Sequence, residues 1–325
     1  MQKLYAPQPN ALDTLIDTTL QDLRQEQKRF ISFELTPSVG AQIADQEKLA
    51  VIRDSNLFDG FVCTDSPLAR FKPSSILSSI IFQNILLKPL ICTLSMRDRN
   101  SIALCGEVLG ANAFGLRAFL SLTGDPIKLG DSRESKGVFE SNSTKLNGII
   151  TRLNSGLDLN AKPLKTIPKH IYNFNAINSY ALNPQTLQNK IIKKIQSSLL
   201  DSQDSELSGL FTQPVYSIES AYDLLENLAL ANRTLGTNTA MILGFFPVVS
   251  YKTAIFLRDK LPGVYIPQEW IARLEKAHNS KNPKIEEHKV GIDLSKTLFD
   301  QLTKAHNKFH VMANGNFALA REILL

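Results

Sequence analysis

The chain has 325 residues, 43% of them apolar, with 36 Lys and Arg against 31 Asp and Glu, which is material for one large barrel or two ordinary domains. The net charge of +5 is scattered; with no run of roughly five or six like charges and no basic stripe among aromatics, a nucleic-acid surface is excluded as a first reading. The three cysteines, Cys63, Cys92 and Cys105, lack CxxC spacing, which argues against a disulfide framework or a thiolate zinc site and for a reducing compartment.

No basic-then-apolar leader opens the sequence, and the longest apolar run, 240–250, is too short to span a bilayer, so no membrane association and a cytoplasmic location are expected. Residues 1–10, with Pro7 and Pro9, read as an arm. Leu12, Leu15, Ile16, Leu20 and Leu23 recur at helical spacing and predict a helix over 11–28 that covers one end of the molecule. Residues 1–28 are therefore expected to form an extension, and 29–325 the main domain.

In 29–35, Ser32 and Glu34 alternate with Ile31, Phe33 and Leu35, which predicts a strand closed by Pro37. Further strands are predicted at 60–63, 89–94, 115–123, 171–175, 209–213, 239–244 and 308–313. Helical patterns fall at 42–55, 74–86, 100–111, 144–154, 184–200, 218–234, 251–260, 267–278 and 283–307. Strands alternating with helices in this way predict an α/β fold, a single (β/α)8 TIM barrel with an N-terminal helical extension. No GxGxxG or GxxxxGK[ST] follows any strand, so the nucleotide fingerprints of an open doubly wound sheet are missing.

In such a barrel the chemistry gathers at the C-terminal ends of the strands. On the fourth strand Leu116, Ala118, Leu120 and Leu122 share one face and Arg117, Phe119, Ser121 and Thr123 the other. Gly124 and Pro126 end the strand, leaving Asp125 to continue the odd-numbered face. Parity thus predicts Glu34 and Asp125 as inward carboxylates, joined by the Gln213 amide on the sixth strand: an acid, a second charge and a two-way hydrogen-bonding group. A purely structural polar network is the alternative. The long loop 126–143 is expected to be a lid or ligand seat, and the polar stretch 201–208 a tolerated insertion. Lys190, Lys193 and Lys194 give one helix a basic edge, either a solvated face or a seat for an anionic diphosphate. His306 and His310 have metal-ligand spacing but straddle a helix-to-strand junction, so no metal is expected.

Taken in order, the blocks SFELTPSVG (32–40), VCTDSPLARFKPS (62–74), RDRN (97–100), LSLTGDPIKLGD (120–131), TRLNSGLDLNAKPL (151–164), LNP (182–184), LFTQPVYS (210–217), GFFPVVSYKTAIFLRDKLPGVYIP (244–267) and GIDLS (291–295) resemble the methylenetetrahydrofolate reductases. The resemblance is strongest to the reductase domain of proteins that also carry a homocysteine methyltransferase. It implies FAD at the C-terminal ends of the strands, with NADH or NADPH and a folate substrate using the same flavin face in turn. The product is 5-methyltetrahydrofolate, made from 5,10-methylenetetrahydrofolate for methionine synthesis.

By the same resemblance, Glu34 is the acid that helps open the folate's five-membered ring. Asp125 tunes flavin and folate, and Gln213 positions the substrate. Thr64, Asn183 and Lys194, with Asp125, contact FAD, while Tyr216 and Tyr251 border folate and nicotinamide. A homo-oligomer and a separate methyltransferase are the protein partners it suggests. The chain departs from the pattern at Thr93-Leu94-Ser95-Met96, where HLTC with a flavin-touching histidine is common. It departs again at Ser197-Ser198, and at Gly315, where an arginine often follows the asparagine. Two other readings stay open: a folate- and flavin-binding paralogue with a regulatory or scaffolding role, and a flavin-independent reductase.

Overall fold

The computed structural model describes residues 11–325 apart from 41, 133, 200–205 and 262; the expected arm 1–10 and most of the expected insertion 201–208 lie outside the described residues. Eight parallel strands, β1 (Phe30–Leu35), β2 (Gly60–Cys63), β3 (Leu90–Ser95), β4 (Ala118–Leu122), β5 (Tyr172–Ile177), β6 (Gly209–Pro214), β7 (Ala240–Phe245) and β8 (Lys308–Val311), close into a barrel in sequence order. The ring is sealed by β8 beside β1, with Ser32 in register with His310.

The helices are α1 (Ala11–Asp22), α2 (Gln46–Asp54), α3 (Ser75–Leu86), α4 (Ser101–Ala113), α5 (Ser143–Asn154), α6 (Pro184–Gln196), α7 (Ile218–Leu235), α8 (Tyr251–Lys260), α9 (Gln268–His278), α10 (Pro283–Ala305) and α11 (Phe317–Leu324). Side chains of Asp45, Ser74, Asn100, Asn142, Asn183, Ser217 and Ser250 accept N–H groups from the first turns of α2 to α8. Each of these helices therefore starts where a short polar residue can satisfy its free donors. The N-terminal helix ends at Asp22, short of the expected 28, because the next residues fold into turns that lead the chain into β1. Helix α11 was not expected; it is one short element, capped by Asn316, that buries Leu319, Ala320 and Ile323 and sets Phe317 against Phe33 and Phe58.

Two apolar layers hold the barrel. One lies between strands and helices and includes Phe33, Phe61, Phe119, Leu210, Leu243 and Phe309. The other fills the barrel interior with Phe30, Val62, Ile91, Ala118, Leu120, Tyr172, Phe174, Phe211 and Ile242, and continues into Ile16 and Leu20 of α1 and Leu23 beyond it. Helix α1 thus plugs the N-terminal end. Arg117, 4% exposed at the entry to β4, pairs with Asp17 at 2.9 Å and with Asp13 at 3.7 Å, and Tyr172 donates to Asp17 at 2.7 Å.

The interior layer corrects one expectation. On β4 the inward residues are Ala118 and Leu120, whereas Phe119 belongs to the helix-side layer. The odd-numbered face of β4 therefore points away from the lumen, and Asp125 does not reach the mouth by strand parity. Both faces of a parallel strand are buried here, so alternation of apolar with mixed residues carries no direction.

Candidate active site

The polar end of the interior is built by β1, β6 and β8. On β1, Ser32 and Glu34 follow Phe30 on the inward face, and on β8 the inward residue His310 lies beside Ser32. Ser32 Oγ is 3.0 Å from His310 Nδ1 and 3.4 Å from the Phe309 carbonyl, and His310 Nε2 is 4.0 Å from Glu34 Oε2. With the Ser32 hydroxyl donating to that carbonyl, Nδ1–H donates to Ser32 and the bare Nε2 faces Glu34. The His310 ring also meets the Phe211 ring edge-on at 5.3 Å.

Burial acts on the two titratable groups in opposite directions. Desolvation raises the Glu34 carboxyl to about 7, although 20% of its side chain stays open to the mouth. Desolvation also lowers His310 to about 3. Near neutrality the site therefore holds a carboxyl poised between its two states beside a neutral imidazole, the arrangement a proton donor needs.

Gln213, expected on the inward face, lies two residues beyond the inward Phe211 near the end of β6. A register shift between Phe211 and Pro214 bends the strand there. Gly244 makes the shift feasible, since a Cβ at that position would stand 2.4 Å from the Thr212 carbonyl. Gly244 N–H donates to Thr212 Oγ1 at 2.8 Å, fixing the bend.

On the opposite side of the mouth, the loops after β2 and β4 are tied to each other. Asp125 accepts the Leu68 N–H at 2.7 Å, Asp131 accepts the Phe71 N–H, and Arg97, with its side chain 2% exposed, donates to the Ser66 carbonyl at 3.1 Å. Gly130 lies against Ala69 so closely that a Cβ would stand 2.1 Å from the Ala69 carbonyl oxygen. Further along the β4 loop, Val138 N–H donates to the Arg97 carbonyl, and Glu140 accepts both N–H and Oγ–H of Ser101 and pairs with Lys145. Ser66, Leu68 and Ala69 all adopt left-handed backbone conformations, at φ 45°, 56° and 55°. Such strain persists only where surrounding contacts impose it.

The remaining expected residues are spread more widely. Thr64 is buried and donates to Thr36 Oγ1 at 3.1 Å. Asn183 is the exposed cap of α6 and accepts the Gln185 N–H. Lys194 extends into the layer between α5, α6 and β5, where it donates to Ser143 Oγ and Asn175 Oδ1; burial, then Lys190 and Lys193, lower its ammonium to about 8. Tyr216 is 2% exposed, donates to the Phe246 carbonyl at 3.1 Å and packs on Trp270. Tyr251 reaches outward to Glu275 and His278 on α9. Both rings are directed toward α9, Tyr216 onto Trp270 and Tyr251 onto Glu275 and His278. Of the groups assigned to FAD, Thr64, Asp125 and Lys194 are engaged by protein partners and Asn183 by its amide oxygen alone, so together they present no uncommitted charged donor to fit it.

Sequence reasoning passed over His310. Its spacing from His306 drew attention to metals, but His306 Nε2 is 2.8 Å from the Met241 carbonyl. Among the described residues no cluster of His, Cys, Asp and Glu is suited to a metal. Alternation along 308–313 would have placed His310 on an inward face. Gly315 has φ 71° in the turn before α11, which accounts for glycine where the resemblance leads one to expect arginine.

The family model described as methylenetetrahydrofolate reductase matches residues 19–325. Among solved structures, an uncharacterised protein from Clostridium thermocellum, described as binding two copies of 5-methyl-5,6,7,8-tetrahydrofolic acid, gives a TM-score of 0.55 at 16% identity, covering 94% of this chain and 98% of that one. DmoA from Hyphomicrobium sulfonivorans gives 0.51 at 9% identity, with 91% and 86% covered. The long-chain alkane monooxygenase LadA gives 0.50 at 8% identity, with 92% and 89% covered. At these identities the likeness concerns the fold. A comparison with curated proteins finds no match.

Proposed function

We propose, from the premise that the chain belongs to the methylenetetrahydrofolate reductase family, that it reduces 5,10-methylenetetrahydrofolate to 5-methyltetrahydrofolate at the barrel mouth with NADH or NADPH as reductant. The observation that carries this reading is Glu34, a largely buried carboxyl raised to about 7 and facing His310 Nε2 at 4.0 Å. An amine is a poor leaving group until it is protonated. A carboxyl half protonated at neutral pH supplies that proton as the folate's five-membered ring opens to an electrophilic iminium. The Gln213 amide, at the β6 bend, both donates and accepts, matching the paired donors and acceptors of a pterin edge.

The resemblance adds methionine synthesis as the destination of the methyl group. The likeness in fold to a barrel described as binding a methylated folate agrees with a folate ligand. The test is anaerobic incubation of the purified protein with NADH or NADPH and the methylene folate, with the methyl folate quantified by mass spectrometry. Binding of the methyl folate without any turnover would replace this reading with that of a folate-binding barrel.

A further inference from the structure

Resting on that reading, we infer that this chain works without a resident flavin: the β2 and β4 loops are tied to each other on the side of the mouth where FAD is expected, and hydride passes directly from the dihydronicotinamide to the folate iminium. The mouth is lopsided. Glu34, His310 and Gln213 stand on the β1, β6 and β8 side, and Gln213 and Glu34 have no side-chain hydrogen bond among the described residues. Of the positions expected to touch flavin, Thr64, Thr93 and Asp125 stand at the ends of β2, β3 and β4, where the protein meets itself, while Asn183 and Lys194 belong to α6.

The Asp125 carboxylate is engaged by a backbone N–H rather than by a side chain that could swing away. Withdrawing Leu68 means moving a segment that is also held at Ser66 by buried Arg97 and at Phe71 by Asp131, with Ala69 jammed against Gly130. Three neighbouring residues are kept in left-handed conformations by these ties. At the β3 end the inward residue is Thr93, 5% exposed, which offers neither a ring nor a cation. Lys194 donates into the helix layer instead of toward the mouth.

The direct step balances. The C4–H bond of the dihydronicotinamide breaks, and its electron pair and hydrogen form the new C–H bond on the iminium carbon. Glu34 has already given its proton to the departing folate nitrogen. Oxidised nicotinamide and the methyl folate leave, and Glu34 regains a proton from water. No other oxidant or reductant enters.

The experiment has two arms on the full-length protein. In the first, the purified protein is examined for visible absorbance and titrated with FAD by calorimetry; the expected result is a colourless protein and no binding heat. In the second, nicotinamide deuterated at the transferred C4 position reduces the methylene folate with and without added FAD. Direct transfer leaves the deuterium in the methyl group at full retention and a rate indifferent to FAD. A yellow protein, saturable FAD binding, a rate that depends on FAD, or deuterium lost to water through an exchangeable flavin N–H would each overturn the inference while leaving the reductase reading intact. Absence of methyl folate in both conditions, with methyl folate still binding, would overturn the two together.

Discussion

His310 Nε2 stands 4.0 Å from Glu34 Oε2 while its other nitrogen is held 3.0 Å from Ser32 Oγ. With the Ser32 hydroxyl donating to the Phe309 carbonyl, its oxygen accepts from Nδ1–H and Nε2 faces the carboxyl. Glu34→Gln preserves size and removes the proton donor, so folate reduction should fall about 100-fold or more, the range typical of a lost general acid. Affinity for the methyl folate, measured by calorimetry, should stay within a few-fold. In the wild type kcat should decline as pH rises through about 7, where protonated Glu34 is lost, and the residual rate of the variant should lack that limb. His310→Gln should move the limb and lower kcat with little change in the folate KM.

The same two groups leave opposite marks on stability. Glu34 has a folded value of about 7 against 4.5 for an ordinary glutamate. The folded state therefore binds more protons across that window, and stability from this group is lost as pH rises through it. His310, at about 3 against 6.5, makes stability fall as pH drops from 6.5 toward 3, because the unfolded chain takes up the proton. The limits are about 3 kcal/mol for Glu34 and about 5 kcal/mol for His310, with protein relaxation reducing both. Urea unfolding at stepped pH should show Glu34→Gln gaining on the wild type above pH 7 and matching it near 4.5. A constant offset at every pH would contradict the burial of an ionisable Glu34.

The β1 half of the site was legible in the sequence because Ser32 and Glu34 interrupt an otherwise apolar strand, and only one face of β1 can hold them. On β4 the same reasoning failed: Ala118 and Leu120 line the lumen and Phe119 faces the helices, so polarity does not distinguish the faces of a strand buried on both sides. Motif position located Tyr216 and Tyr251 on the chain without fixing where their rings point, which depends on α9 packing beside them. The ties from Asp125 to Leu68 and from Asp131 to Phe71 use backbone donors, and no residue type announces a backbone donor. Helix α11 is too short for periodicity to speak.

The α1 plug makes a separate prediction. Arg117 is nearly inaccessible and its charge is balanced by Asp13 and Asp17, the second of which also receives the Tyr172 hydroxyl. Asp17→Ala should cost about 1–3 kcal/mol in chemical denaturation, since a buried guanidinium keeps the Asp13 carbonyl at 3.1 Å but only one carboxylate, at 3.7 Å, and a phenol loses its 2.7 Å acceptor. Loss of Asp13 as well should cost more than the two single changes taken together. Activity per folded molecule should be unchanged, because the plug closes the end of the barrel remote from Glu34.

The clasp between the β2 and β4 loops is tested most cleanly at Gly130, which has φ −83° and ψ −170°, a conformation alanine adopts without strain. Only space forbids the change, because the added Cβ would stand 2.1 Å from the Ala69 carbonyl oxygen and 2.9 Å from its carbon. Those atoms are backbone, so the two loops must separate, and the Asp125 to Leu68 and Asp131 to Phe71 hydrogen bonds should lengthen or break with them. Barrel strands and both apolar layers are untouched, so Tm should fall by only a few degrees while limited proteolysis within 126–142 accelerates several-fold. Hydrogen exchange at the Leu68 and Phe71 amides should rise in parallel, reporting the loss of their acceptors directly. Wild-type proteolysis and exchange in Gly130→Ala would mean that the loops already stand apart in solution, and Asp125 would then be free to meet a ligand.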